Sequence, residues 1–200
     1  SASVALYTIV YPFFSNNSNP LQVLIAQLYK KFKKYLDNVR YAIEDRNSIV
    51  ILFEKIQKCL ELMQINCSSD CYAEIDDLEY LAATVDIGQY VKELIQKILR
   101  FFGNKMLLIP IDDIDLNTKY AYEMMEQLRK YFTCPNVLIL FVINMKQMQS
   151  VLLRHFANDL NASKEYVANQ DILQMSERYL MKLIPLKNRI SLYDFGVNME

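Results

Sequence analysis

Apolar residues along the chain group either into short continuous runs or into stripes with helical period. Val4 to Tyr11 is β-branched and aromatic and predicts a strand. A polar loop, Ser15 to Asn19, follows it, and Asn19-Pro20 reads as an N-cap with proline at the first helical position. Leu21, Leu24, Ile25, Leu28, Phe32 and Tyr35 then recur at helical spacing and predict an inward face. The opposite face carries Lys30, Lys31, Lys33 and Lys34, which could touch phosphates or simply be solvated. A second helix is predicted over Tyr41 to Gln64, with Ile49, Leu52, Phe53, Ile56, Leu60 and Met63 on one face. Asn66 to Asp77 is polar and acidic and reads as a loop. Leu78 to Phe102 returns to helix, with Val91, Leu94, Ile95, Ile98 and Phe102 inward, and Gly103-Asn104 is a helix stop.

Beyond Gly103 the pattern changes. Met106 to Ile111 is a continuous apolar run of strand length, followed by Asp112-Asp113-Ile114-Asp115. An amphipathic helix is predicted from Thr118 to Phe132, with Ala121, Met124, Met125, Leu128 and Phe132 inward. Val137 to Ile143 is a second buried-strand run, ending at Asn144. Strand, helix, strand within about 38 residues is the signature of a parallel sheet with a right-handed crossover. Further helix is predicted over Lys146 to Asn158 and Lys164 to Leu183. The expected fold class is α/β and helix-rich: a small parallel sheet of about three strands, helices on both faces, and a mostly helical insertion. One partial domain spans residues 1–200, organised as strand plus helix (4–37), helical segment (38–104), strand-helix-strand (105–144) and a C-terminal helical part (145–200).

Composition narrows the function classes. With 52% hydrophobic and 22% charged residues in 200, a packed core is expected and disorder is not. Lys plus Arg number 22 against 23 Asp plus Glu, a net charge of -1 that excludes a general electrostatic grip on nucleic acid but not a local basic patch. The longest apolar runs reach seven residues or so, where a bilayer span needs about 20. No membrane helix is expected, and no secretory leader is read. The opening Ser-Ala-Ser, without an initiator Met, reads as a cloning scar or an excised segment, so a fragment is the expectation. Four cysteines do not make a disulfide framework, and a reduced, cytoplasmic setting is expected. Cys67 and Cys71 are conceivable as a metal clip, but there is one histidine and no CxxC pair.

The chain contains only three glycines, Gly88, Gly103 and Gly196, so neither GxxxxGK[ST] nor GxGxxG occurs in it. Candidate chemistry rests instead on the aspartates. In open parallel sheets ligands sit at the carboxyl ends of strands, where Asp112 and Asp113 fall. One carboxylate there can hold Mg²⁺, and a second can polarise an attacking water. Two adjacent charges of one sign need a cation or a nearby Lys or Arg. The plainer alternative is that Asp112 to Asp115 form a turn and cap the helix from Thr118.

Leu107-Leu-Ile-Pro-Ile-Asp-Asp-Ile-Asp115, with Cys134-Pro-Asn-Val-Leu-Ile-Leu-Phe-Val-Ile-Asn144 after the helix, resembles the Walker B segment and sensor strand of the KAP and STAND groups of P-loop NTPases, relatives of the AAA+ ATPases. Tyr11-Pro-Phe-Phe-Ser and the Asn19-Pro20 helix look like the elements that follow their P-loop helix. Leu78-Glu-Tyr-Leu-Ala-Ala-Thr84 and Tyr90-Val-Lys-Glu-Leu-Ile95 resemble the helical segment before their Walker B strand, and Glu177 to Pro185 the stretch after the sensor strand. The resemblance implies Asp112 as the Mg²⁺-associated residue, with Asp115 beside it as a metal ligand. It implies Asp113 as the water-activating acid, Asn144 as the sensor of the γ-phosphate, and Arg178 and Arg189 as candidate arginine fingers. Other basic residues within possible reach of a nucleotide are Lys119, Arg154, Lys182 and Lys187. Leu116 stands where KAP proteins typically carry arginine, which favours a STAND-like relative without membrane insertions. Pro110 interrupts the strand, a position normally confined to edges or bulges.

The implied function is a fragment of an ATP-binding, ATP-hydrolysing regulatory ATPase of signalling or defence, with Mg²⁺ and ATP expected only for the full-length protein. A GxxxxGK[ST] is then expected within about 30 residues upstream of Ser1. Possible partners are a second copy or an attached effector domain. One alternative is a non-enzymatic helical interaction module on a degenerate NTPase fold. Another is a Mg²⁺-dependent phosphohydrolase or nuclease. His155 and the methionines Met124, Met125, Met145 and Met148 read as core or boundary residues. The aromatic residues read as spread along helices, with no stacking platform.

Overall fold

The apolar run Met106 to Ile111, closed by Asp112, forms the seven-residue strand β2, Met106–Asp112. In the computed structural model, which describes residues 6–8, 19–36, 43–65, 73–116, 118, 120–162 and 169–191, β2 is the middle of three parallel strands. Leu6–Thr8 forms β1, in register Leu6 with Met106 through Thr8 with Leu108. Val137–Val142 forms β3, in register Leu107 with Val137 through Asp112 with Val142. The chain is thus helix-rich with a small parallel sheet. The remainder of the predicted strand from Val4 to Tyr11, and the acidic, cysteine-containing residues 66–72, lie outside the described residues.

Pro110 sits in this central strand without breaking the ladder, and the hydrogen-bond direction explains why. Leu107 N donates to Asn136 O at 2.8 Å, toward the β3 side. Donors alternate sides along a parallel strand, so the donor missing at Pro110 faces the β1 side. There the described pairing ends at Leu108 with Thr8. Proline therefore removes no bond from the β2–β3 pair.

Side chains alternate in burial along β2. Leu107, Ile109 and Ile111 are buried, while Leu108 and Pro110 are half-buried. On β3 the residues sharing the outer face, Leu138, Leu140 and Val142, are 47–48% exposed. Helices on both faces were expected for such a sheet. Within the first compact unit, Ser1–Ile143, one face is buried and the other is about half open among the described residues.

The helices of this unit follow from their stripes. Pro20–Lys33 forms α1, and Asn19 caps it through Oδ1, which accepts Leu21 N at 2.9 Å. Leu21, Leu24, Ile25, Leu28 and Phe32 are buried, but Tyr35, expected inward, is 37% exposed. Ile43–Ile65 forms α2 and Ala73–Phe101 forms α3. The start of α3 lies five residues before the predicted Leu78. Gly103, at φ 66°, ends the helix, and Asn104 N donates back to Leu99 O at 2.8 Å. Ala121–Phe132 forms α4, with Ala121, Met124, Met125, Leu128, Tyr131 and Phe132 buried. Its start is three residues later than predicted because Ile114–Leu116 takes a separate 3₁₀ turn. Helix α4 packs on α1 and α3, and α3 packs on β2. Gln127 Oε1 of α4 accepts Leu21 N at 3.0 Å, tying α4 to the first turn of α1.

The second compact unit, Asn144–Glu200, pairs two helices, α5 (Met145–Ala162) and α6 (Asn169–Leu183). Met148, Val151, Leu152, Ile172 and Leu180 are buried, and Ser176 Oγ donates a hydrogen bond to Leu173 O at 2.8 Å. Met148, Met124 and Met125 are core residues; Met145 is half-buried.

Candidate functional site

The carboxyl end of β2 carries the candidate site. Asp112 is the last residue of the strand, paired in register with Val142, and its side chain is exposed. Its Oδ1 accepts the backbone N–H of Asp113 at 2.9 Å. Asp113 then adopts φ 55°, in the left-handed region that short polar side chains tolerate better than others. Leu116 N donates to Asp113 O at 3.1 Å, closing the 3₁₀ turn. The central strand therefore ends in a sharp reversal that presents two adjacent carboxyl side chains to solvent. Backbone strain of this kind concentrates at functional turns.

Asp115 behaves differently from its neighbours. Within the turn it is buried, 5% exposed. The structure thus separates the three aspartates into an exposed pair and a buried third. Among the described residues no group of three or more His, Cys, Asp or Glu gathers as a metal-holding cluster. Mg²⁺ rarely uses such a cage. It keeps waters and takes one or two carboxylates plus substrate phosphates, and the exposed pair fits that donor set.

The capping alternative places Asp112 to Asp115 at the start of α4. Tyr120 is the N-cap of that helix and makes no side-chain cap bond. Asp112 and Asp113 stand eight and seven residues before it, and the bond to Asp113 N is local to the turn.

The remaining candidates belong to the second unit. Asn144 Oδ1 accepts Lys146 N at 3.1 Å and Gln147 N at 3.2 Å, so this side chain is the N-cap of α5. Arg178 is exposed, with Nη2 donating to Gln174 Oε1 at 3.4 Å. Arg189 Nε donates to Ile184 O at 2.8 Å and its Nη2 to Leu180 O at 3.4 Å, satisfying carbonyls at the end of α6. Arg154, Lys182 and Lys187 are exposed, and Lys119 lies outside the described residues.

Among the described residues the two cysteines, Cys59 and Cys134, are not activated as nucleophiles. Burial pushes the thiol of Cys59 up, helped by Asp86, and burial also raises that of Cys134. Both are therefore poor thiolates. Cys67 and Cys71, the conceivable metal clip, lie outside the described residues. His155 is half-buried, tilted against Phe156, with Nε2 3.3 Å from Asp159. An open depression of about 420 Å³ between the start of α2 and the end of α3 mixes Glu44 and Asp45 with Lys97 and Arg100. It shares no residue with the aspartate turn.

The left-handed backbone at Asp113 and the capping role of Asn144 were not apparent from residue types. Only an Asp-Asp pair after an apolar run hinted at the first. No protein-family model matches the chain, and no curated protein matches it.

Proposed function

We propose that this chain is the Walker B and sensor portion of a regulatory P-loop ATPase of the STAND, KAP or AAA+ kind. The observation that carries the reading is Asp113: an exposed aspartate in left-handed backbone, directly after the carboxyl end of the central strand of a parallel sheet. The β2–α4–β3 order and the parallel register of Asp112 with Val142 support it. Asp112 would hold Mg²⁺ directly or through water, completed by phosphate oxygens. Bound Mg²⁺ would neutralise charge developing on the transferred phosphoryl group. Asp113, beside it, would orient a water and accept its proton. Asp115, being buried, would order the turn and act on the metal only through it. Asn144, whose Oδ1 caps α5, remains the proposed sensor of the γ-phosphate. Arg178 and Arg189 remain the proposed fingers; of the two, Arg189 already serves the end of α6.

The 200 residues contain no glycine-rich phosphate cradle, and that cradle supplies much of the positioning in phosphoryl transfer. The chain by itself is therefore expected to show no ATP turnover. In a longer protein that supplies the cradle, Asp113→Asn should lower kcat by about a hundredfold or more with ATP still bound. Asp112→Asn should weaken Mg²⁺-dependent nucleotide binding. Unchanged turnover in both variants would sink the reading, as would Mg²⁺-dependent hydrolysis by the 200-residue chain that Asp113→Asn abolishes.

A further inference from the structure

Residues 29–35 read Tyr-Lys-Lys-Phe-Lys-Lys-Tyr. With about 100° between successive residues of a helix, the four lysines span an arc of about 160° on the side opposite the buried stripe. Tyr29 borders that arc on the helix, and Tyr35 follows it in the turn just after Lys34, the C-cap of α1. Phe32, in the middle of the motif, is fully buried, while Tyr29 and Tyr35 are 39% and 37% exposed. Lys30, Lys33 and Lys34 are exposed and Lys31 is half-buried.

The tyrosines are held from behind. Tyr29 meets Phe53 edge-on at 5.2 Å between ring centroids, and Tyr35 meets Phe102 in the same manner at 4.9 Å. Phe32 links both sides through Phe53 at 6.0 Å and Phe101 at 5.3 Å. Each tyrosine is therefore a braced ring with part of its surface open, which lowers the entropy lost when something stacks on it.

Helix electrostatics accounts for only part of the charge. One or two cations near a helix C-terminus complement the macrodipole, but here there are four in five residues. Helix α1 contains no Asp or Glu, and among the described residues no carboxylate forms an ion pair with Lys30, Lys33 or Lys34. Burial and the charge of Lys34 pull the ammonium of Lys31 below the usual lysine range. Lys30, Lys33 and Lys34 thus crowd like charge onto one face with no described ion pair to offset it, and an external anion would relieve them.

We propose that this face of α1 binds single-stranded nucleic acid, the lysines following phosphates while Tyr29 and Tyr35 stack on bases. Lysine charge combined with exposed aromatic rings is the recognition chemistry of single strands. A duplex keeps its bases stacked on one another and would leave the tyrosines unused. Insertion into a membrane uses an exposed apolar stripe, whereas that of α1 is sequestered against α2 and α4, and charge attraction to an anionic surface would leave the tyrosines unused. The net charge of -1 confines the attraction to this patch. The site uses none of the aspartates, so it stands or falls apart from the ATPase reading.

The test is fluorescence anisotropy of the 200-residue chain with a labelled oligothymidylate of about 20 nucleotides, enough to span one site of this kind. A duplex of equal length and phosphatidylserine-containing vesicles run alongside. The single strand should bind best, with log K against log salt falling at a slope of about -2 to -3, as three or four phosphate contacts require. Lys30→Gln/Lys33→Gln/Lys34→Gln, which leaves at most one contact, should bring the slope to between zero and about -0.7. Tyr29→Leu/Tyr35→Leu should weaken binding about tenfold or more at unchanged slope, with circular dichroism showing both variants folded. No binding at low salt overturns the proposal. So does a preference for vesicles, or equal binding of duplex and single strand that the tyrosine variant leaves untouched.

Discussion

Oδ1 of Asp112 holds the backbone N–H of Asp113 at 2.9 Å, and Asp113 is the one non-glycine residue among those described with a positive φ, 55°. The first aspartate thereby fixes the reversal that presents the second. Asn shares the tolerance of Asp for left-handed backbone, so Asp113→Asn should leave stability within about 0.5 kcal/mol. Asp113→Val should cost about 1–2 kcal/mol, because a β-branched residue at this φ is strained. Asp113→Gly should be neutral or slightly stabilising. Urea denaturation midpoints of the three variants separate these outcomes, and they single out Asn as the clean test of the carboxylate's chemistry.

Leu21 N has two acceptors, Asn19 Oδ1 at 2.9 Å and Gln127 Oε1 at 3.0 Å. Either alone satisfies the donor. Asn19→Ala and Gln127→Ala should therefore each cost about 0.5–1 kcal/mol. The double variant should exceed their sum, because a part-buried N–H is then left without a partner. A double-mutant cycle measured by chemical denaturation checks this, and additive costs would show that the two bonds are not shared.

Lys31→Gln should stabilise the fold by about 0.2–0.5 kcal/mol at neutral pH, the size of a like-charge helical pair. The sign with pH follows from linkage. The folded chain holds the Lys31 proton less tightly than the unfolded chain, whose value is near 10.5. Wild-type stability therefore gains as pH rises through this range, and the advantage of the variant shrinks toward pH 10.5. An advantage that grew with pH would contradict it.

Ile109 is fully buried, whereas Leu140 on the outer face is 47% exposed. Ile109→Ala should cost about 2–5 kcal/mol and Leu140→Ala less than about 1 kcal/mol. Thermal unfolding of the pair reads out which face of the sheet the core occupies.

Long-period features were legible from residue types and spacing. The Asn19-Pro20 start of α1, the apolar stripe of α4 and the runs of β2 and β3 stand where their patterns indicated, but β3, read as buried, is half exposed on its outer face, and Phe102, read as inward on α3, lies just past its end and is half-buried. Features decided by a few local bonds were not. Thr118 looked like a helix start until the Ile114–Leu116 turn absorbed the preceding residues. Asn144 looked like a sensor by resemblance, yet its side-chain oxygen is spent on Lys146 and Gln147. Tyr35 matched the helical period of the buried residues, but at the end of α1 it lies at the margin of the core. Reading it as inward concealed the alternation of lysine and aromatic residues around it.

Strand β3, Val-Leu-Ile-Leu-Phe-Val, carries no charge and no proline, and its outer edge meets no described strand. Lysine, proline or a bulge usually blunts such an edge, and a six-residue apolar segment of this composition is the kind that stacks in register with copies of itself. Strand recruitment, as well as folding free energy, is therefore expected to limit the solution lifetime of the 200-residue chain. Turbidity should rise with concentration while the monomer is still native by circular dichroism, and Leu140→Lys should delay it by placing a gatekeeper charge where copies would meet.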